Sequence, residues 1–284
     1  MRYAPNSQGA ILMAVSMFSF VLNDGLMKAL FVDMPIYQAI FLRGMVTAPL
    51  LALLAWRAGV LMARLGGRDT RLIIIRVISE VAATIGFLTA LRHMPLANVT
   101  AILQALPLTV TMAAALFLGE AVGWRRWVAI LLGLSGVLLI IRPGMAGFSV
   151  YSIWALGAVA AVTVREVTTR KLSKDVPSLP VALATAIAIC GLGAVSLPGV
   201  QWVPVDPFMW VYLTGAGIAV IGGYLFSVMA VRTGDLGFVS PFRYTAMIWA
   251  ISLGFLLFGD LPDLPTTLGT AIIIMTGLYS LHRE

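Results

Sequence analysis

The chain has 284 residues, of which 60% are hydrophobic and 11% are charged, whereas soluble domains contain roughly 25% charged residues. This composition excludes a soluble globular protein, because one core cannot bury so much apolar surface. The formal net charge of +7 would suggest nucleic-acid binding in a soluble protein, but the basic residues stand mainly between apolar blocks, so we expect no nucleic-acid partner.

Apolar blocks of about 20 residues, the length that spans a bilayer, follow one another along the chain. The first block is too long, and the residues before it too weakly basic, for a cleaved secretory signal, so it should remain as a helix. We predict an all-α protein of a bacterial inner membrane, embedded in the lipid bilayer by ten helices. The predicted spans are 9–31, 36–56, 72–91, 96–118, 125–142, 149–171, 179–198, 208–231, 238–258 and 265–282.

Basic residues predict the orientation of these spans. If the N-terminus is cytoplasmic, only Lys28, Arg92 and Arg142 face outward. The basic residues then on the cytoplasmic side are Arg2, Arg57, Arg64, Arg68, Arg71, Arg125, Arg126, Arg170, Lys171, Lys174, Arg232 and Arg283. Cytoplasmic loops carry an excess of Lys and Arg, so both termini are predicted to lie inside.

The chain contains an internal duplication. Residues 90–120 align without a gap with residues 230–260 at an offset of 140, and residues 23–28 align with 165–170 at an offset of 142. We therefore predict two five-helix repeats, residues 1–145 and residues 146–284. Because five is odd, the second repeat enters the membrane from the opposite side, as in the inverted repeats of secondary transporters.

These features resemble the drug/metabolite transporter superfamily, in its ten-helix branch with paired EamA-type repeats. The residues that carry the resemblance are Pro35 with Phe41-Leu42-Arg43, Ala90-Leu91 with Ala97 and Thr100-Ala101, and Leu118-Gly119-Glu120. Within the superfamily the chain looks most like YddG-type exporters, which implies export of aromatic and other neutral amino acids. One position departs from the internal symmetry, since Thr185 stands in the second repeat where Arg43 stands in the first.

Ionisable residues inside the predicted spans fall into two layers. Asp24 and Arg43 lie at similar depth, each about seven residues from the outer end of its helix. The inner layer consists of Arg76, Glu80, Arg165, Glu166 and Arg243. Such residues are costly in a membrane unless they are paired or hydrated, so we interpret the layers as an outer and an inner gate. The alternative is that they are structural ion pairs and arginines whose charged ends reach the membrane surface.

Polar and aromatic residues at helical spacing, or at matched positions of the two repeats, predict a substrate cavity between the layers. They are Phe20, Asn23, Thr84, Phe87, Thr100, Gln104, Tyr224 and Tyr244. Gln104 and Tyr244 occupy the same position in the two repeats. For any single Ser or Thr, a hydrogen bond to a neighbouring helix is the alternative role.

One sequence motif could indicate an enzyme instead of a transporter. Gly133-Leu134-Ser135-Gly136 matches a pattern of intramembrane serine proteases, but a serine nucleophile needs a general base. His93 falls in a predicted outer loop and His282 at the C-terminus, so we expect helix packing there and no enzyme. Cys190 is the only cysteine, and no nucleotide-binding motif is present, so neither metal nor cofactor is expected.

The resulting prediction is a secondary transporter that exports a small zwitterionic or neutral metabolite, an amino acid above all, by alternating access. An alternative substrate is a nucleotide-like or S-adenosylmethionine-like metabolite, because the cationic inner layer suits a phosphate. Asp24 and Glu80 are the candidates for binding a coupled proton, with facilitated diffusion as the alternative. The carrier is expected to rest outward-open, as a monomer or a homodimer.

Overall fold

The computed structural model describes residues 5–61, 66–119, 122–145, 148–173, 175–199, 201–234 and 236–282. Glu120 of the predicted repeat motif, and the basic residues Arg2, Arg64, Lys174 and Arg283, lie outside these ranges. Within them the regular secondary structure is helical, and no strand occurs. The helices are α1 (Pro5–Leu30), α2 (Ile36–Arg57), α3 (Gly67–His93), α4 (Leu96–Leu103), α5 (Leu106–Leu118), α6 (Trp124–Ile141), α7 (Tyr151–Arg170), α8 (Ser178–Ser196), α9 (Pro207–Thr233), α10 (Leu236–Val239), α11 (Thr245–Phe258) and α12 (Leu264–His282).

Each predicted apolar block coincides with a helical stretch, and the described residues contain 8 stretches long and apolar enough to cross a membrane. α7 is not among them, since Arg165 and Glu166 near its C-terminal end lower its mean hydropathy. The apolar part of α12 is a shorter helix, Leu264–Ser280. The chain is therefore a multi-pass, all-α membrane protein, as predicted, while the count of ten spans stays a prediction.

Two of the predicted spans are broken helices, which was not predicted. The block at 96–118 is divided into α4 and α5, with a turn at Gln104 and Ala105. Pro107 has no backbone N–H, so the carbonyl of Leu103 cannot receive its helical hydrogen bond there. The block at 238–258 is divided in the same way by a 3₁₀ turn, Ser240–Tyr244, between α10 and α11.

The two broken spans also end alike. Gly119 follows α5 with φ of 72°, and Gly259 follows α11 with φ of 71°. This left-handed conformation closes a helix C-terminus and favours glycine. Both the break and the terminating glycine thus recur at the offset of 140 that the sequence alignment gives.

The helices pack in pairs that correspond between the two predicted repeats. α1 packs along α9, and its counterpart α7 packs along α3. In the same way α1 contacts α11 while α7 contacts α4 and α5, and α2 contacts α9 while α8 contacts α3. α2 packs on α8 and α6 on α12, each helix on its own counterpart. The division into repeats and their inverted orientation stay predictions, which this pairing supports.

Glycines bring the paired helices close together. A Cβ atom on Gly86 of α3 would lie 2.8 Å from the carbonyl oxygen of Trp154 in α7, and one on Gly136 of α6 would lie 2.8 Å from the carbonyl oxygen of Gly269 in α12. Small residues commonly permit such approach between membrane helices. Close packing of these pairs sets how near the side chains of neighbouring helices come to one another.

Candidate functional site

Three polar side chains of α1 and α2 form an outer cluster. Arg43 donates from Nη1 to Oδ1 of Asn23 at 3.0 Å, and Nδ2 of the same amide donates to Oδ1 of Asp24 at 2.8 Å. Arg43 is 9% exposed and Asn23 5%. Among the ion pairs of the described residues, none joins Arg43 to Asp24. The neutral amide of Asn23 therefore stands between the two opposite charges.

The inner cluster is organised around Arg165 of α7. Its Nη1 donates to Oε2 of Glu80 on α3 at 2.7 Å, and its Nη2 donates to Oε1 of Glu166 at 2.5 Å. The three side chains are 19%, 11% and 37% exposed, respectively. Glu166 is also attracted by the charges of Arg243 and Arg76. The inner charges are thus paired directly, unlike the outer ones.

Arg76 is held by hydroxyl groups. Its Nε donates to Oγ1 of Thr169 at 3.1 Å, and its Nη1 donates to Oγ1 of Thr185 at 2.8 Å. Thr185 is the residue that stands where the first repeat has Arg43. The position that supplies a cation in the outer cluster therefore supplies a hydrogen-bond acceptor near the inner one.

The inner contacts differ in which helices they join. Glu80 with Arg165 and Arg76 with Thr169 both join α3 to α7, which pack together along their length. The attraction between Glu166 and Arg243 instead links α7 to the turn before α11, where Arg243 is exposed.

The two broken helices meet at their breaks. Gln104, which ends α4 and is 8% exposed, donates from Nε2 to the backbone carbonyl of Tyr244 at 3.3 Å. These two residues occupy matched positions in the two predicted repeats, and the structure brings them together. Broken helices at membrane depth occur in transporters, where the interrupted backbone is buried or lines a cavity.

The side chain of Tyr244 points away from Gln104 and toward α12. Tyr244 is 6% exposed, its hydroxyl finds no hydrogen-bond partner among the described residues, and it packs against Gly277 of α12. There it lines an apolar cavity of about 510 Å³ between α11 and α12, together with Thr270 and Ile274. This cavity was not predicted, because it depends on how far α11 and α12 stand apart.

Aromatic side chains lie next to the outer cluster. Phe20, one turn before Asn23 on α1, makes an edge-to-face contact with Tyr224 of α9, with ring centroids 5.3 Å apart. Gly223 lies against the Phe20 ring, and its carbonyl oxygen accepts from Oγ of Ser16 at 2.7 Å. The structure therefore brings Phe20 and Tyr224 of the predicted lining into contact, one helical turn from Asn23.

The remaining predicted lining residues are less clearly grouped. Thr84 is half-buried one turn beyond Glu80 on α3, and Thr100 of α4 is 7% exposed. Phe87 packs against both large apolar cores of the protein, which is also how a structural residue packs. The lining role of these three residues stays a prediction.

Two polar anchors, Lys28 near the end of α1 and Gln38 near the start of α2, were missed as such. Gln38, which is fully buried, donates from Nε2 to the carbonyl of Val203 at 2.7 Å and accepts from its N–H at 3.0 Å. Lys28 donates to the carbonyls of Leu91 at 3.0 Å and Met94 at 2.6 Å, at the end of α3. The sequence signal that could have indicated Gln38 was a polar residue within an apolar block.

The serine motif of α6 serves packing. Ser135 is exposed and donates to the carbonyl of Leu132 at 2.7 Å, while Gly136 lies against Gly269. His93 stacks on the Tyr151 ring, with centroids 3.8 Å apart. The side chain of His282 lies outside the described residues.

Comparison with known proteins connects the chain to transporters. A model of the EamA-like transporter family matches residues 7–142. A pseudopaline exporter of Pseudomonas aeruginosa is 25% identical over 277 residues, which cover 94% of this chain and 93% of that protein. A riboflavin transporter of Vibrio cholerae is 30% identical over 213 residues, which cover 74% and 71%.

A third relative and a solved structure complete the comparison. An S-adenosylmethionine uptake transporter of Rickettsia prowazekii is 23% identical over 192 residues, which cover 67% of this chain and 64% of that protein. A protein of known crystal structure is 18% identical and aligns over 95% of each chain with a TM-score of 0.65. The last match shows a shared fold.

Proposed function

This chain belongs to the EamA-like transporter family of the drug/metabolite transporter superfamily, and we propose that it exports small zwitterionic or neutral metabolites, amino acids above all, across the inner membrane. Its relatives are transporters of small molecules, with differing substrates. The choice of amino acids and the outward direction are our proposals. They rest on the YddG-type resemblance and on the charges of the site.

The observation that carries the proposal is the meeting of two broken helices. Gln104 bonds to the backbone of Tyr244 where both spans are interrupted. In the predicted topology the Arg43 cluster lies on the outer side of the protein and the Arg165 cluster on the inner side. Interrupted helices at the interface of two repeats are the usual substrate region of secondary transporters.

We further propose that the clusters are gates. The outer gate consists of Asp24 and Arg43, and the inner gate consists of Glu80, Glu166, Arg76, Arg165 and Arg243. Ion pairs suit this role, because a desolvated pair holds a closed state and is hydrated when water enters. The direct pairing of Arg165, against the separated charges of the outer cluster, supports an outward-open resting state.

Transport by the protein in liposomes tests this function. We expect uptake of radiolabelled phenylalanine or leucine, and no comparable uptake of riboflavin or S-adenosylmethionine. Ser135→Ala, outside the proposed pathway, should transport like the unchanged protein. Uptake of riboflavin or S-adenosylmethionine alone would overturn the amino-acid proposal and leave the carrier assignment intact.

The same assay with and without a proton gradient tests coupling. If Asp24 or Glu80 binds a transported proton, Asp24→Asn or Glu80→Gln should abolish the stimulation by the gradient while leaving exchange without a gradient measurable. A variant pair that keeps the full stimulation would exclude coupling at these two residues.

A further inference from the structure

The deep arginines differ in how their N–H groups are used. Arg165 donates to two carboxylates, and Arg76 donates to two threonine hydroxyls. Arg43 makes a single hydrogen bond in the described structure, to the neutral amide of Asn23. A guanidinium has five N–H donors and binds carboxylates through a planar fork. At 9% exposure, Arg43 therefore keeps an unmet capacity for an anion inside the bundle.

Asp24 shows the complementary deficit. Its Oδ1 accepts from Asn23, and within the described contacts its Oδ2 accepts from no protein group. A carboxylate that is mostly removed from water needs a cation or several donors. The outer cluster thus offers one anion-binding and one cation-binding group, each electrostatically attracted to the other and kept apart by one amide.

The second repeat shows what Asn23 changes. The counterparts of Asn23 and Asp24 are Arg165 and Glu166, which pair directly at 2.5 Å. A cation and a carboxylate that already neutralise each other have little capacity left to bind the charged groups of a ligand. In the first repeat the amide replaces the cation, and the cation comes from α2 instead, so the charges remain available.

We propose that Arg43 and Asp24 form a head-group subsite for an α-amino acid. Arg43 binds the carboxylate and Asp24 binds the ammonium group of one substrate molecule, and the Phe20–Tyr224 pair contacts an apolar side chain. This inference rests on the proposed function. A phosphate group carries no cation for Asp24 and is repelled by it, so the subsite selects a zwitterion over a nucleotide-like anion.

The subsite also links binding to gating. A zwitterion held by both groups connects α1 to α2 through two further charged hydrogen bonds, in addition to the bond from Arg43 to Asn23. The bound substrate therefore completes the outer cluster and favours its closure. Without substrate the two charges stay apart, and the outer gate lacks its ion pair.

Three ligands that share one side chain separate the two contacts. Phenylalanine has both charged groups, phenethylamine lacks the carboxylate, and N-acetylphenylalanine lacks the ammonium group. Binding is measured by titration calorimetry on the purified full chain, and uptake is measured in liposomes. The unchanged protein should bind phenylalanine roughly 10- to 100-fold more tightly than either analogue, the effect of losing a hydrogen bond to a charged group.

Variants then assign each contact. Arg43→Gln should bind phenylalanine and phenethylamine with affinities that differ by less than about threefold, because it no longer reads the carboxylate. Asp24→Asn should lose discrimination against N-acetylphenylalanine and keep discrimination against phenethylamine. Arg142→Gln, a matched removal of an arginine paired near the outer surface, should keep both preferences.

The outcomes distinguish this inference from the proposed function. Transport of phenylalanine with equal affinity for both analogues would overturn the subsite alone, as would an Arg43→Gln protein that keeps its preference for the carboxylate. Absence of binding and uptake for all three ligands would overturn the subsite and the amino-acid proposal together. If Arg43→Gln loses its monodisperse gel-filtration peak, the Arg43→Lys variant provides the test instead. Lysine retains the positive charge but lacks the planar guanidinium fork, so Arg43→Lys should bind phenylalanine roughly tenfold more weakly. Unchanged affinity in Arg43→Lys would then count against the subsite.

Discussion

Neutralising both carboxylates of the inner cluster should open the carrier toward the cytoplasm. In the double variant Glu80→Gln with Glu166→Gln, the Arg165 guanidinium keeps acceptor oxygens at both positions but loses both opposite charges. Breaking a buried ion pair by removing one partner costs 3–5 kcal/mol. Arg165 is 19% exposed, so we expect a smaller cost, about 3 kcal/mol, despite losing two partners.

That cost falls mainly on the inner-closed state. When the inner end opens, water hydrates Arg165 and screens its repulsion from Arg76 and Arg243. About 3 kcal/mol corresponds to a factor of roughly 150 in the equilibrium. An inward-facing population of about 1% in the unchanged protein would therefore rise to about 60%.

Spin labels at both ends of α3 and α9 measure this population. After Cys190→Ala removes the native thiol, labels at the exposed positions Arg71 and Arg232 report the inner end. Labels at Arg92 and Phe208, also exposed, report the outer end of the same helices.

Electron-spin distance distributions should show a new, longer inner distance and a shorter outer one in the double variant. Asp263→Asn, which neutralises a paired carboxylate at the outer surface, should leave both distributions unchanged. Distance distributions of the double variant that match those of the unchanged protein would contradict this gating scheme. An open inner end in the unchanged empty protein would contradict it equally.

Two further predictions concern stability. Gly269→Leu should lower the melting temperature in detergent, because its Cβ would lie 2.5 Å from the Gly136 carbonyl oxygen. Gly157→Leu should leave the melting temperature unchanged, because no atom lies within 4 Å of the added Cβ. An equal loss in both variants would exclude packing as the cause. Slight burial tends to raise the pKa of Asp263, but the hydrogen bonds from Arg142 and Thr266 and the charge of Arg142 together outweigh it and lower the pKa. The pair therefore stabilises above the unfolded pKa of about 3.9 and is lost as pH falls through the lower folded pKa. Asp263→Asn should cost on the order of 1 kcal/mol or less at pH 6, with the difference shrinking below about pH 4, and a difference that grows on acidification would contradict it.

The number and position of helical stretches were largely predictable, because bilayer thickness fixes the length of an apolar span. The breaks at Gln104 and at Ser240–Tyr244 were not. Hydropathy does not reveal a local change of backbone hydrogen bonding, and a proline such as Pro107 can either bend a helix or divide it. The recurrence of Gly119 at Gly259 was visible in the alignment, but its left-handed conformation needed the backbone.

Partner choice within the site was beyond the sequence. Helical spacing places Arg76 and Glu80 on one face, yet Glu80 receives Arg165 from α7, and Arg76 donates to Thr169 and Thr185. These partners come from other helices, and their distances depend on helix approach. The family was identifiable, as the comparisons confirm, but no pattern in one sequence indicates which arginine remains without a carboxylate.

If the two clusters are gates, as proposed, the departures from internal symmetry give the carrier a preferred state. Two identical inverted repeats would build equal gates, so that inner-closed and outer-closed states would have equal free energy. Here Asn23 stands opposite Arg165, and Arg43 stands opposite Thr185. The exchange leaves a guanidinium with both carboxylates at the inner end and a cation without its carboxylate at the outer end. A gate that holds its own ion pairs closes without substrate, whereas one whose charges are separated closes when a zwitterion joins them. On the proposed gating scheme the empty carrier therefore rests outward-open, and substrate arriving from the cytoplasm must first open the inner cluster.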